Sequence, residues 1–212
     1  MELFFSPLAC SMATRISLYE AGASARYTQV DGRTKQTLDG DDFLSINPLG
    51  LVPAMRTDDG VVLTENAAIL QYVANRHSDA DLAPRAGIKR SLLQQWLCFI
   101  GTELHKALFT PLLTGDAPEG AKAFALAKGE SRLDYLNRHL AGREFLLDRF
   151  SVADAYLFTV LHWSRAIPQI DLARWPAVKA YVERLRQRPS IAKALSEELA
   201  LYEAEQARHK AA

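Results

Sequence analysis

Cysteine is scarce in this sequence: Cys10 and Cys98 are the only two among 212 residues. Two thiols so far apart in sequence suit a reducing compartment better than a disulfide-stapled scaffold. No Cys pair or His pair shows ligand spacing, so no metal is expected. An excess of charge is missing too, since Lys plus Arg and Asp plus Glu each total 25. That balance leaves no net field to attract nucleic acid, an anionic membrane or an acidic partner. No run approaches the roughly 18 consecutive apolar residues of a spanning helix. The first residues also lack a basic stretch followed by an apolar run and a cleavage site, so cytoplasmic residence is expected. Internal repeats and low-complexity segments are absent.

What is present is apolar residue, 49% of the chain, enough to bury a sizeable core. Its patterning changes partway along. Over residues 1–77 short apolar runs alternate with helical periodicity. "ELFF" reads as a strand, "SMATRISLYEAG" as a helix closed by Gly22, and "ARYTQV" as a second strand. "VPAMRT" and "VVLT" then flank Asp59-Gly60, a strong hairpin signal, before the helical "ENAAILQYVANRH". These segments predict a small mixed α/β domain with four strands. Residues 78–87, "SDADLAPRAG", read as a linker. From residue 88 to residue 212 amphipathic helical stretches dominate, predicting an all-α bundle.

Several positions carry chemistry-bearing side chains, each with a plainer alternative. Cys10 falls between the first strand and the first helix, where orphan N–H groups favour a thiolate. The alternative is a half-buried structural thiol. Pro53 opens a strand, and a cis Val52-Pro53 bond would expose the Val52 N–H and C=O to an extended peptide, although most X-Pro bonds are trans. Glu65 and Asn66 lie where a strand meets a helix; they cap that helix or hold the ammonium and carboxylate of a ligand. His105 sits in a helical stretch, where a lone histidine is usually structural. Ser151 and Asp154 resemble a capping box preceded by Phe150, a folding signal rather than a chemical one.

Taken in order, "SPLACS", "NPLGLVPAM", "LTENAAIL", "LHKALFTPLL" and "SVADAYLF" resemble the cytosolic glutathione S-transferase family, particularly its bacterial beta class. The resemblance covers nearly the whole chain. It implies a thioredoxin-like N-terminal domain, an all-helical C-terminal domain and a homodimer. It also implies a cis Val52-Pro53 bond, with Val52 pairing the cysteinyl part of glutathione. Glu65 and Asn66 match the pair that holds the γ-glutamyl end, and Lys35 matches the lysine reaching the glycine carboxylate. Cys10 matches the cysteine beside the glutathione sulfur, with Ser11 next to it, and His105 the histidine brought near it. Glu103 corresponds to an acidic residue offered across the dimer. Two departures stand out: Asn66 replaces a common serine, and Phe5 a common tyrosine.

The expected activity is therefore attack of a glutathione thiolate on a small hydrophobic electrophile, with glutathione as co-substrate and no metal. Phe5, Phe109, Leu113, Tyr156 and Trp163 are expected to line the electrophile pocket by family position, with core packing as the alternative for each. Two other readings use the same residues. Cys10 forms a mixed disulfide with glutathione in a one-cysteine thiol transferase, because Ala13 stands where a resolving cysteine would be. The third is a binding protein of the same fold that has lost turnover.

Overall fold

The computed structural model describes residues 1–211, which divide into two compact units. In the first, β1 (Glu2–Phe5) is flanked by parallel β2 (Arg26–Gln29) and antiparallel β3 (Ala54–Arg56), with β4 (Val62–Thr64) antiparallel beyond β3. The strand order is β2-β1-β3-β4. An uninterrupted apolar run suits a central strand because alternate side chains reach opposite faces, both of them covered here. Leu3 and Phe5 join Leu18 of α1 (Met12–Glu20) and Ile69 and Val73 of α2 (Asn66–Arg76) in one core. Phe4 meets Val30, Phe43 and Ala54 in another. Gly22, at φ 59°, follows the end of α1, and Gly60, at φ 80°, turns the β3–β4 hairpin; both are left-handed positions that glycine takes without a Cβ clash.

The second unit is helical and runs from Ala83 to Arg188. It contains α3 (Gly87–Phe99), a π-helical stretch (Ile100–Phe109), α4 (Thr110–Leu113), α5 (Glu119–Leu140), α6 (Val152–His162) and α7 (Pro176–Arg186). The wider π turn ends where the Thr110 N–H and hydroxyl both donate to the His105 carbonyl.

Helix α8 (Pro189–Ala211) was expected to close the helical domain, which the sequence placed at residues 88–212. By its contacts it belongs instead to the first unit, with Met1–Leu82. Leu201 of α8 packs on the core beside β1, and Glu198 meets Arg15 of α1. A helical period reveals that a helix has a buried face but not which domain covers it.

Asp154 organises the start of α6 as the capping box predicted. One carboxylate oxygen accepts the Ser151 N–H at 2.9 Å and its hydroxyl at 2.8 Å; the other accepts the Leu146 N–H at 2.9 Å and the Tyr181 hydroxyl at 2.8 Å. Burial pushes this carboxyl up while those donors pull it down. Asp154→Asn replaces acceptor oxygen by an amide donor against two of these groups. It is expected to cost about 2 kcal/mol of unfolding free energy, seen as a lower urea midpoint at unchanged m, and an unchanged midpoint would count against the network's role.

Candidate functional site

The first unit assembles its site from three loops. After β1 the chain turns through Ser6-Pro7-Leu8-Ala9 to Cys10. Leu8 adopts the left-handed region at φ 58°, unusual for a branched side chain. Its N–H donates to Glu198 Oε2 at 2.7 Å, so a contact from α8 pins the strained residue. Cys10 is half-buried, and its thiol donates to the Val52 carbonyl at 3.2 Å. The N–H groups of Met12 and Ala13, expected as orphan donors facing the sulfur, are taken by the carbonyls of Ala9 and Cys10.

Ser11 does not occupy the position expected of a catalytic hydroxyl. It is 0% exposed and donates inward to the Ser6 carbonyl at 3.2 Å. Asn66 is also turned inward. Its amide donates to the Cys10 carbonyl at 2.8 Å, and its oxygen accepts the Thr14 hydroxyl at 3.2 Å. Ser11 and Asn66 thus shape the Cys10 loop from behind.

The Val52-Pro53 bond is cis. Pro53 is buried and Val52 half-buried, and the Val52 N–H has no partner among the described residues. A main-chain donor without a partner, one residue before a buried proline, can pair with an extended peptide backbone. Glu65 precedes α2 with φ 65° and ψ 120°, a strained conformation for a residue with a side chain. Its carboxylate is exposed and unpaired among the described residues. Lys35, also at positive φ, donates from Nζ to the Gly50 carbonyl at 3.1 Å. Gly50 leads into the Leu51-Val52 segment, so the ammonium lies at that end of the loop.

In the helical unit, His105 Nδ1 lies 2.7 Å from the Tyr156 hydroxyl, and its ring meets Trp163 edge to face at 4.9 Å between centroids. Burial, with a smaller push from Lys106, lowers its pKa to about 4, so the imidazole is neutral at pH 7. Glu103 is engaged by Arg132, with Nε at 2.7 Å and Nη2 at 2.6 Å from one carboxylate oxygen. Of the five expected pocket residues, Phe5, Phe109 and Tyr156 are buried packing groups; Phe5 lies in the sheet core with the Arg15 guanidinium 4.3 Å from its ring centroid. Trp163 is half-buried, and Leu113 is 44% exposed.

His162, like His105, has its pKa lowered to about 4, by burial first and then by Arg186 and Arg165. A depressed folded value means that the unfolded chain binds the proton more tightly. The stability contribution is therefore present above about pH 6.5 and is lost as pH falls towards about 4. Each histidine is expected to withdraw on the order of 2–3 kcal/mol across that window. Unfolding midpoints of wild type and His105→Gln across the window check this, and parallel curves would refute the assignment to His105.

Three contributors escaped the sequence reading. Arg15 lies buried between the rings of Phe5 and Tyr27 and pairs with buried Glu198; Thr14 orients Asn66. A usable signal existed for Arg15, a lone charge inside the apolar stretch of α1. None pointed to Glu198 as its partner.

Comparison with known proteins places this arrangement. Residues 9–76 match the family model described as the glutathione S-transferase N-terminal domain, and residues 119–184 match that of the C-terminal domain. The chain is 42% identical over 200 residues to glutathione S-transferase GstA of Escherichia coli, covering 93% of this chain and 98% of that protein. BphK, a bacterial glutathione S-transferase solved as a ternary complex, superposes with a TM-score of 0.90 at 43% identity over 93% of this chain and 99% of its own. A beta-class glutathione S-transferase of Sphingomonas chungbukensis gives 0.89 at 44% identity, covering 93% and 98%. A sphingomonad glutathione S-transferase in complex with glutathione gives 0.89 at 42% identity over the same shares. With both domain models matched in order and such identity over nearly the whole length, the chain belongs to the glutathione S-transferase family, in likeness to its bacterial beta class.

Proposed function

We propose that this protein is a glutathione transferase that binds glutathione along the Val52 edge and directs its thiolate at small hydrophobic electrophiles. The observation that carries the reading is the cis Val52-Pro53 segment, which offers an unpartnered Val52 N–H beside the Cys10 thiol. The cysteinyl unit pairs there as an added strand does. Glu65, exposed and unpaired, receives the γ-glutamyl ammonium, while the first-turn N–H groups of α2 face its carboxylate. Lys35 exchanges the Gly50 carbonyl for the glycine carboxylate. Anchored at both ends, the tripeptide loses little freedom when its sulfur reacts.

The chemical step is a substitution or addition. The glutathione sulfur forms a bond to carbon; with an aryl halide the carbon–halide bond breaks and halide leaves, the thiol proton having gone to solvent. His105 is neutral at pH 7 and is hydrogen-bonded to Tyr156 within the helical unit, so no cationic role is assigned to it. Glu103 is assigned to the dimer, where contact with a second copy would compete with Arg132. A sedimentation mass near 23.6 kDa at micromolar concentration would argue against that dimer.

Glutathione titration of wild type and Glu65→Ala tests the anchoring. Loss of a charge-assisted contact is expected to weaken binding roughly 10–100-fold. Equal affinity in the two proteins, or no affinity in wild type, would sink the proposed pose. A second reading rests on Cys10 as the site's single thiol: it attacks the sulfur of a glutathione mixed disulfide, expels the other thiolate, and is released by a second glutathione.

A further inference from the structure

We propose that Asp31, Glu205 and His209 bind one divalent transition-metal ion, which ties the C-terminal helix to the edge of the sheet. None of these residues takes part in the glutathione site described above. Asp31 follows β2, an edge strand; Glu205 and His209 are four residues apart on α8 and so share one face of it. One potential ligand atom from each of the three lies within 4.8 Å of the other two. His209 Nε2 is already 2.6 Å from Asp31 Oδ2.

Charge makes this more than a polar contact. Asp31 is 9% exposed and Glu205 8%, so both carboxylates are largely withdrawn from water. Neither has a lysine or arginine partner among the described residues. Buried anions in such proximity call for a cation. A divalent ion matches the charge of both carboxylates together.

The surroundings also hold the ligands in place. Gln29 of β2 donates to Glu205 Oε2 at 2.8 Å, and the N–H groups of Arg33 and Thr34 donate to Asp31 Oδ1 at 2.8 and 3.1 Å. These contacts leave Asp31 Oδ2 directed at the histidine. Supporting bonds of this kind orient first ligands in metal sites. Metal bonds of about 2.0–2.2 Å need ligand atoms roughly 3 Å apart, so side-chain adjustment of a few tenths of an ångström to about an ångström suffices. One imidazole with two carboxylates favours Zn²⁺, Co²⁺ or Ni²⁺ over Mg²⁺, with water completing the shell.

Chelator-stripped, full-length protein is titrated with Co²⁺ by absorbance and melted with and without Zn²⁺. One equivalent is expected to bind with ligand-field absorption and no thiolate-to-cobalt band, which separates this site from Cys10 and Cys98. At a hundredfold excess over Kd, Zn²⁺ should raise Tm by about 5–10 °C. Glu205→Gln and His209→Gln should weaken binding at least about tenfold and abolish the shift. Absence of saturable binding, or unchanged affinity in both variants, overturns the proposal. If a variant folds poorly, imidazole resonances of the wild type decide: perturbation of His209 by one equivalent of Zn²⁺ supports the site, and perturbation confined to other histidines refutes it.

Discussion

Glu198→Ala is expected to lower the unfolding free energy by about 3–5 kcal/mol, because it strands a buried arginine. In a chain of this size that corresponds to a fall in Tm of roughly 10 °C or more. Glu198 is 0% exposed and accepts Arg15 Nε at 2.8 Å. Arg15 Nη2 already lacks a partner among the described residues, and the guanidinium's other polar contacts are Tyr19 and the half-exposed Glu197, itself hydrogen-bonded to Tyr19. Without Glu198 the guanidinium keeps its two aromatic neighbours but loses its principal acceptor. Burial pushes the Glu198 carboxyl up to about 7, with Arg15 and the Leu8 N–H pulling the other way. The folded chain therefore holds this proton more tightly than the unfolded one; the group's contribution is full below about pH 4.5 and is lost as pH rises through about 7. Arg15 needs the acceptor oxygens in either protonation state.

The cost extends to the site. Glu198 Oε2 holds the Leu8 N–H, two residues before Cys10, in a conformation that leucine resists. Glutathione affinity should fall along with stability. The paired change Arg15→Met with Glu198→Leu should recover part of the stability, because it removes both charges, but not the Leu8 contact. Denaturant unfolding and glutathione titration on the three proteins separate the effects. If the single variant matches wild type in both, Arg15 does not depend on Glu198.

Local pattern explains which parts of this architecture were legible. The runs "ELFF" and "ARYTQV" and the Asp59-Gly60 turn declare themselves within a few residues, and the strands formed where those signals lie. The capping box at Ser151 and Asp154 was equally local. What could not be read depended on partners distant in sequence. Helix α8 has a buried face whose partner is α1 and the sheet, nearly the whole chain away. Ser11 is adjacent to Cys10 in sequence and Asn66 opens α2, but hydrogen bonds to Ser6, Cys10 and Thr14 turn their side chains inward. Phe5 sits at the end of β1, where alternation sends it into the core with Leu3. The π turn around His105 depends on a five-residue closure onto Thr110, for which apolar periodicity carries no mark.

Cys10→Ala and Cys10→Ser are expected to separate two chemistries at one site. Disulfide exchange requires a sulfur that itself becomes covalently bound, so both variants should lose at least about a hundredfold in that activity. Conjugation requires only that the sulfur of glutathione be oriented. Cys10 contributes to that environment a thiol hydrogen bond to the Val52 carbonyl at 3.2 Å. A neutral contact of this kind is worth about 1 kcal/mol, so conjugation should persist within roughly tenfold. Serine can still donate to Val52 and should lie nearer wild type than alanine. With Ala13 in place of a second thiol, wild type treated with glutathione disulfide should carry glutathione on Cys10, released by free glutathione and located by peptide mass so that it is told apart from adduct on exposed Cys98. The two assays, run with an aryl halide and a small mixed disulfide, give independent answers. Parallel collapse of both activities would place Cys10 in the conjugation step as well. Exchange that survives in both variants would mean that glutathione alone supplies the reacting sulfur, leaving Cys10 to shape the loop around it.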